Sequence, residues 1–307
     1  MWSSLAVLLV IFGLCFADKP LTEVNEKSEK ETPPVCGRPA GPIRRDRRMV
    51  GGLLAPHVPW QVLVSLKGNL VRGGGVLISD RWVLTTGRNL MDSFSNATEM
   101  PHLPRVYVGI TKLSHANHSA EVPVEQVIMH PRFQNSSEWE NDLALIKLGD
   151  KVSLGQNVMP ICLPVKEYVE TGREGHVAGF GMGAFLEYSK HLKYLTLAVA
   201  DHTQCHDYFN SSAHLLRNVP VVNENMFCTN VTRYSENTCW GDAGAAFAVQ
   251  DPQDGAWYLA GILSFDKSCS VETYSVFMKL SSYLPWIYHV LGNYTEVQNA
   301  AGSKLYT

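Results

Sequence analysis

Short apolar runs separated by turn-forming residues recur along most of the chain. Gly, Asn, Asp and Pro lie between the runs, a pattern typical of all-β barrels and sandwiches. We predict strands at residues 61–66, 75–78, 82–85, 105–108, 143–148, 177–180, 192–198, 245–249, 257–265 and 275–280. Helical spacing is confined to residues 282–291, where Leu284, Ile287 and Leu291 share one side. The pattern therefore predicts an all-β fold with a C-terminal helix.

The first seventeen residues carry no charged side chain and are apolar from Leu5 to Phe16. Cys15 and Ala17 are small residues at the −3 and −1 positions of a cleavage site, so residues 1–17 are typical of a signal peptide. The apolar stretch is too short to span a bilayer. We therefore expect a secreted protein with no membrane partner.

Seven cysteines are present, and removal of Cys15 with the signal peptide leaves an even set. These six are Cys36, Cys162, Cys205, Cys228, Cys239 and Cys269. In an oxidising compartment they predict three disulfides, with about fifteen possible pairings.

Six N-x-Ser/Thr sequons predict glycans on exposed loops, at Asn96, Asn117, Asn135, Asn210, Asn230 and Asn293.

Charge is concentrated in residues 18–48, which hold 14 charged side chains in 31 positions. This lead segment, or light chain, ends in the basic run 44–48, after which the apolar part of the chain starts. We predict cleavage between Arg48 and Met49 by a processing protease. The formal net charge of −3 excludes the basic stripe of a nucleic-acid binder. Residues 293–307 form a polar tail.

Three segments resemble the trypsin-like serine proteases. NDLALIKL at 141–148 is similar to the family's segment around the catalytic aspartate. VLTTGRNL at 83–90 is similar to VLTAAHCL, which supplies the histidine base, and CWGDAGAA at 239–246 is similar to the nucleophile loop CxGDSGGP. The resemblance implies a serine-protease-like domain, residues 49–292, built of two packed six-stranded antiparallel β-barrels.

The resemblance places the family's histidine, aspartate and serine at Arg88, Asp142 and Ala243. Alanine offers no nucleophile, and an arginine with a pKa above about 12 accepts no proton. In subtilisin, which uses the same triad on another fold, loss of the serine or the histidine alone costs about a million-fold in turnover. The resemblance thus implies a protease homologue that is not an enzyme, and an active peptidase is a remote alternative. We expect Arg88 to form an ion pair with a buried Asp142.

The specificity pocket also departs from the family pattern. Asp266 and Ser275 replace two glycines that commonly open the pocket, and Asn237 stands where trypsin-like members carry an aspartate. These side chains predict a narrowed pocket. In the family, the aspartate before the nucleophile pairs with the α-amino group made by cleavage. Asp242 and Met49 hold these positions, so cleavage after Arg48 is expected to order the loops.

Further stretches, at 158–164, 241–249 and 261–269, are similar to a non-catalytic branch of the family. That likeness implies the disulfides Cys36–Cys162, Cys205–Cys228 and Cys239–Cys269. Gly73 and Asn89 replace both cysteines of the family's histidine-loop disulfide, so no cysteine is left unpaired. Residues 18–48 are too few for the complement-control module that mammalian members of this branch carry, so we expect a short form without one.

Members of this branch capture free haemoglobin αβ dimers in blood plasma. The likeness implies haemoglobin as the partner, protection against haem-driven oxidation, the behaviour of an acute-phase glycoprotein, and no cofactor or metal. The alternative is a pseudoprotease that binds another protein or a microbial surface. No motif identifies the contact residues or a receptor, because binding loops carry no fixed pattern.

Overall fold

The computed structural model describes residues 36–40, 46–49, 52–54, 58–66, 69–91, 103–134, 139–183, 185–212, 219–230, 237–266, 269 and 273–292. The predicted signal peptide, most of the lead segment, the tail 293–307 and the sequons at Asn96, Asn135 and Asn293 lie outside these residues. No helix in the described part is long and apolar enough to cross a membrane.

Strands dominate the described residues. In chain order they are β1 (Asp46–Met49), β2 (Gly52–Leu54), β3 (Gln61–Leu66), β4 (Asn69–Leu77), β5 (Trp82–Thr85), β6 (Arg105–Val108), β7 (Glu121–Val122), β8 (Val124–Met129), β9 (Ala144–Leu148), β10 (Glu174–Gly179), β11 (Lys193–Ala198), β12 (Met226–Thr229), β13 (Ala246–Gln250), β14 (Trp257–Phe265) and β15 (Ser275–Lys279). The α-helices are α1 (Gly87–Leu90), α2 (His202–Ser212) and α3 (Leu284–Leu291), and short 3₁₀ helices lie at Leu113–His115, His118–Ala120 and Leu280–Tyr283.

The strands form two antiparallel sheets. One has the order β7-β6-β3-β4-β5-β9-β8, and the other has the order β1-β2-β11-β10-β13-β14-β15-β12. The predicted all-β fold with a C-terminal helix is confirmed. The described sheets have seven and eight strands rather than six, because short strands extend their edges. The two-residue strand β7 adds to β6, and the β1–β2 hairpin adds to β11.

The core is shared between the two sheets. Trp60, just before β3, and Trp257, at the start of β14, are both buried, with ring centroids 5.8 Å apart. Phe247 and Phe277 fill the interior of the second sheet, 5.4 Å apart. Burial of each such side chain contributes about 1.5–3 kcal/mol. The two sheets are thus held together by packing, and this packing fixes the position of the loops at their junction.

Strand prediction succeeded where apolar runs were continuous, since β3, β5, β6 and β14 have the predicted limits. The expectation that helical spacing is confined to the C-terminus was wrong, because α2 is also helical. In α2 only Cys205 and Phe209 are buried, one turn apart, so the apolar pattern is thin. Asp201 accepts a hydrogen bond from the Gln204 amide at 2.9 Å and caps the helix start.

Candidate functional site

Arg88 lies in α1, a single turn that is held at both ends. The Thr86 hydroxyl accepts a hydrogen bond from the Asn89 amide at the N-terminus. At the other end, the Arg72 guanidinium of β4 donates to the carbonyl oxygens of Arg88 and Met91, at 3.2 and 2.6 Å. These contacts satisfy carbonyls that such a short helix leaves without partners. The position of Arg88 is therefore set by the first sheet.

Asp142, two residues before β9, is fully buried and lies beside Arg88. Its Oδ1 accepts the Arg88 backbone N–H at 2.9 Å, and its Oδ2 accepts the Ser264 hydroxyl at 2.7 Å. The predicted ion pair is present but long, with 3.9 Å between Arg88 Nε and Asp142 Oδ2. The Arg88 guanidinium carbon lies 3.9 Å from the centroid of the Trp139 ring, within cation–π range. The nearest ligands of the carboxylate are thus a backbone amide and a hydroxyl.

Burial dominates the electrostatics of this pair. It raises the pKa of Asp142 to about 6, and the hydrogen bond from Ser264 is the strongest of the opposing effects. Burial also lowers the pKa of Arg88, although Asp142 acts in the opposite direction. Sequence reasoning did not assign Ser264 a role. The available signal was the position of Ser264 two residues before Asp266, which the pocket pattern had singled out.

Ala243 lies in a tight loop between β12 and β13 that glycines make possible. Gly241 and Gly244 have φ values of 98° and 92°, which favour glycine. A Cβ on Gly244 would lie 2.1 Å from the Gly74 carbonyl oxygen. The loop therefore keeps its backbone close to the first sheet, where the Gly74 amide donates to the Ala243 carbonyl at 2.7 Å, and the Ala243 side chain is only a methyl group.

Asp266 follows β14 and reaches into this loop. Its Oδ2 accepts the backbone N–H groups of both Gly241, at 3.0 Å, and Ala243, at 3.1 Å. Its side chain is buried. Two converging backbone N–H groups form the kind of site that stabilises an oxyanion in acyl transfer. In this chain they bind an internal carboxylate, a contact that the expectation of a merely narrowed pocket did not include.

The remaining pocket positions bond to one another. Asn237 donates to the Thr273 carbonyl at 2.9 Å and accepts the Ser275 hydroxyl at 3.1 Å. Thr238 and Ser275 share a hydrogen bond of 2.5 Å between their hydroxyls. Asn237, Thr238 and Ser275 are all buried. These buried polar side chains therefore have their hydrogen-bond partners within the fold.

Asp242, on the same loop as Ala243, is a half-buried carboxylate. It accepts the backbone N–H of Gly181 at 2.8 Å and that of Cys239 at 3.0 Å. A Cβ on Gly179 or Gly181 would overlap its carboxyl group, which explains the glycines at the end of β10. Burial raises the pKa of Asp242 to about 7. A cavity of about 30 Å³, lined in part by Asp242 and Lys193, adjoins it.

The predicted cleavage site lies in β1, and the described part of that strand pairs Met49 with Gly52 in the β1–β2 hairpin. The hairpin joins the second sheet where Leu54 pairs with Lys193 of β11. Lys193 also lines the cavity next to Asp242. The site of cleavage and the carboxylate that is expected to receive the new terminus are therefore linked through one strand of the same sheet.

Asn89 fills the space of the missing histidine-loop disulfide. Its side-chain amide donates to the Ala243 carbonyl at 2.7 Å and to the Thr85 hydroxyl at 3.2 Å. A Cβ on Gly73 would lie 2.2 Å from the Asn89 amide nitrogen, so glycine is required opposite it. The replacement at 73 and 89 is therefore one coupled change that ties α1 to the Ala243 loop.

The structure contains three disulfides, Cys36–Cys162, Cys205–Cys228 and Cys239–Cys269. This is the pairing that the resemblance implies.

Of the sequons in the described part, Asn117 and Asn210 are exposed and Asn230 is half-buried. Within the described residues, no three His, Cys, Asp or Glu side chains are grouped as a metal site needs.

Two antiparallel sheets with Arg88, Asp142 and Ala243 at their junction define a protease homologue of the trypsin fold. The Trypsin family profile matches residues 50–287, and the chain belongs to that family.

Three relatives narrow this further. Haptoglobin of Oryctolagus cuniculus is 41% identical over 266 residues, which cover 82% of this chain and 73% of that protein. Haptoglobin of Sus scrofa is 41% identical over 278 residues, 86% of this chain and 76% of that protein. Haptoglobin of Bos taurus is 40% identical over 272 residues, 84% of this chain, and the match spans 64% of its length. Within the trypsin family, the chain is haptoglobin-like.

Proposed function

We propose that this chain is a secreted, non-catalytic protease homologue that captures free haemoglobin αβ dimers in blood plasma and limits their oxidative toxicity. The observation that carries the proposal is 41% identity to haptoglobins over 82% of the chain. The proposed partner is haemoglobin, and no cofactor takes part. Binding uses a loop-built surface rather than a pocket.

The geometry of the degenerate centre supports the non-catalytic part of the proposal. Serine-type acyl transfer needs a nucleophile, a base within hydrogen-bond reach, and an oxyanion site. Ala243 and Arg88 supply neither of the first two groups, and the Asp266 carboxylate occupies the backbone N–H pair of the loop. Asp142 retains buried hydrogen bonds and serves the fold in place of catalysis.

Several features support an extracellular protein. Cys36, in the lead segment, is bonded to Cys162 in the protease-like domain, so the segment stays attached after cleavage at Arg48. Three disulfides are typical of the secretory route. We propose glycans at Asn117 and Asn210, which are exposed, and at the remaining sequons of the mature chain.

Gel filtration of the secreted protein with haemoglobin tests the proposal. The protein, cleaved at Arg48, is mixed with oxygenated haemoglobin, and the haem absorbance of the eluate is followed. We expect the haem signal to move to an earlier volume together with this chain. Trypsin blocked with a covalent inhibitor is the matched control, since it has the same fold. Haem that elutes at the same volume with and without the chain would contradict haemoglobin capture.

A peptide-ester hydrolysis assay tests the non-catalytic part separately. The cleaved chain is expected to match its own Asp142→Asn variant, because no step depends on the carboxylate. A hydrolysis rate that purifies with the chain and falls in Asp142→Asn would favour the remote peptidase alternative.

A further inference from the structure

The backbone at Gly241 and Ala243 has the form of an anion site. Both N–H groups point to a single oxygen, Asp266 Oδ2, at 3.0 and 3.1 Å. Gly241 has a positive φ, so the chain turns sharply between its amide and the Ala243 amide, and both face the same oxygen. Hydrogen bonds to an ionised acceptor are about twice as strong as neutral ones. The loop therefore offers a carboxylate a favourable and specific position.

Two other carboxyl groups lie near Asp266 and make a further negative charge there unfavourable. Asp142 is fully buried and Asp242 is half-buried nearby, and Asp266 raises the pKa of each. A carboxylate is stable in such a place only when hydrogen bonds replace its lost hydration. The two amides of the loop provide that replacement, so the interaction stabilises both the loop and Asp266.

We propose that the Gly241–Ala243 backbone is a working carboxylate-binding site and that Asp266 is its resident ligand. Asp266 is a positioning residue that fixes the loop and excludes outside anions and acyl oxygens. The occupied oxyanion site is therefore a third cause of the loss of catalysis, in addition to the arginine at 88 and the alanine at 243. A serine at 243 and a histidine at 88 would still face an occupied oxyanion site.

Chemical rescue by acetate tests the proposal. Asp266→Gly empties the site, and Ser275→Gly is the matched control, because both positions correspond to glycines of the family pocket while Ser275 does not contact the amides. Thermal melting is followed in acetate and in chloride at equal ionic strength. We expect Asp266→Gly to melt lower than wild type and to recover by about 2–4 °C in acetate. Wild type and Ser275→Gly should respond equally and weakly.

An acetate response in Asp266→Gly that is no larger than in Ser275→Gly would overturn the proposal. If Asp266→Gly does not fold, Asp266→Asn provides the test, because the amide has the same shape without the charge. Hydrogen exchange at the Gly241 and Ala243 amides should then be about tenfold faster than in wild type. Unchanged exchange in Asp266→Asn would refute the role of the carboxylate. Neither readout contains haemoglobin, so the result is separate from that of the proposed function.

Discussion

Asp142 shows how a catalytic position becomes a structural one. Its carboxylate keeps a backbone N–H and the Ser264 hydroxyl as ligands, while the side chain at 88 is a cation at 3.9 Å. Full burial raises its pKa to about 6. A buried charge of this kind is costly when a partner is removed. We therefore expect Arg88 to stabilise the fold, through its charge and through its contact with Trp139.

Replacement of Arg88 by alanine should destabilise the fold by about 1–3 kcal/mol, since two ligands of Asp142 remain. Arg105 provides the matched control, because it lies 3.8 Å from Glu121 in an exposed ion pair. Arg105→Ala should cost only about 0–1 kcal/mol. Urea unfolding of both variants at neutral pH measures the difference. Equal costs would show that the buried ion pair has no special role.

Sequence reasoning located Arg88, Asp142 and Ala243 because each lies in a short motif with a fixed spacing. It did not assign Ser264 as a ligand of Asp142, or Asp266 as a ligand of the Ala243 loop. Those contacts join residues far apart in the chain and depend on where β14 ends. The pattern of a single segment carries no information on such a pairing.

At the scale of elements, Asn89 joins the α1 turn to the Ala243 loop and packs against Gly73 of β4. The Asn89 amide contacts the Ala243 carbonyl at 2.7 Å and leaves no room for a side chain at 73. Hydrogen bonds of one side chain thus connect α1 to the Ala243 loop. The two sides of the degenerate centre are still tied together.

The coupling between Gly73 and Asn89 can be measured with a double-mutant cycle. Gly73→Ala should destabilise by about 1–3 kcal/mol, because its methyl group overlaps the Asn89 amide. In an Asn89→Ala background the same change should cost less, with a coupling of about 0.5–3 kcal/mol. Gly155→Ala is the control, since nothing lies near its added Cβ. Additive effects at 73 and 89 would contradict the account.

We predict that cleavage after Arg48, in the β1–β2 hairpin, changes how the free energy of unfolding depends on pH, through the titration of Asp242. In the uncut chain, burial raises the pKa of Asp242 to about 7 from an ordinary value of 3.8. Between about pH 4 and 7, the folded state then binds more protons than the unfolded state. The free energy of unfolding therefore falls as the pH rises, by at most about 1.4 kcal/mol per pH unit from this group.

Cleavage after Arg48 would place the Met49 amine near Asp242, lower the pKa of this carboxylate and reduce that slope. Melting curves from pH 4 to 7 should therefore differ between Arg48→Ala and the cleaved chain, with the cleaved chain less pH-dependent and more resistant to proteolysis. Asp242→Asn should reduce the slope without cleavage, and Asp142, whose pKa is raised to about 6, should account for part of the slope that remains. Identical slopes and protease resistance in the cut and uncut chains would contradict the proposed insertion of Met49.

Elements with continuous apolar runs could be predicted well, and β3, β5, β6 and β14 match to the residue. Strand β8 was not predicted because its six residues are exposed or half-buried, which weakens the alternation. Helix α2 was not predicted because it contributes only two buried side chains and depends on Cys205 bonded to β12. Their limits are set by tertiary contacts that a local pattern does not record.

At the scale of the whole molecule, the Cys36–Cys162 disulfide anchors the lead segment to the protease-like domain. Backbone hydrogen bonds reinforce the link, from Gly37 to the Pro160 carbonyl and from Trp257 to the Gly37 carbonyl, both at 2.8 Å. Cys36 lies before the cleavage site and Cys162 after it. The two products of cleavage should therefore behave as one molecule.

Substitution of Cys36 by serine should release the lead segment after cleavage at Arg48, whereas wild type should release it only on reduction. Denaturing electrophoresis without reductant measures this directly. Cys205→Ser is the matched control, because Cys205 and Cys228 both lie after the cleavage site. Removal of a native disulfide also costs about 2–5 kcal/mol of stability. Release of the segment from unreduced wild type would contradict the tether.

The central claim is that a protease fold without its chemistry acts as a binding scaffold for haemoglobin. Isothermal titration of the cleaved chain with haemoglobin tests this most directly, with inhibitor-blocked trypsin as the reference for the same fold. We expect saturable heat with one αβ dimer bound per chain, and the same binding in Asp142→Asn, because the former catalytic carboxylate takes no part. Heat no larger than that of the trypsin reference would contradict the account.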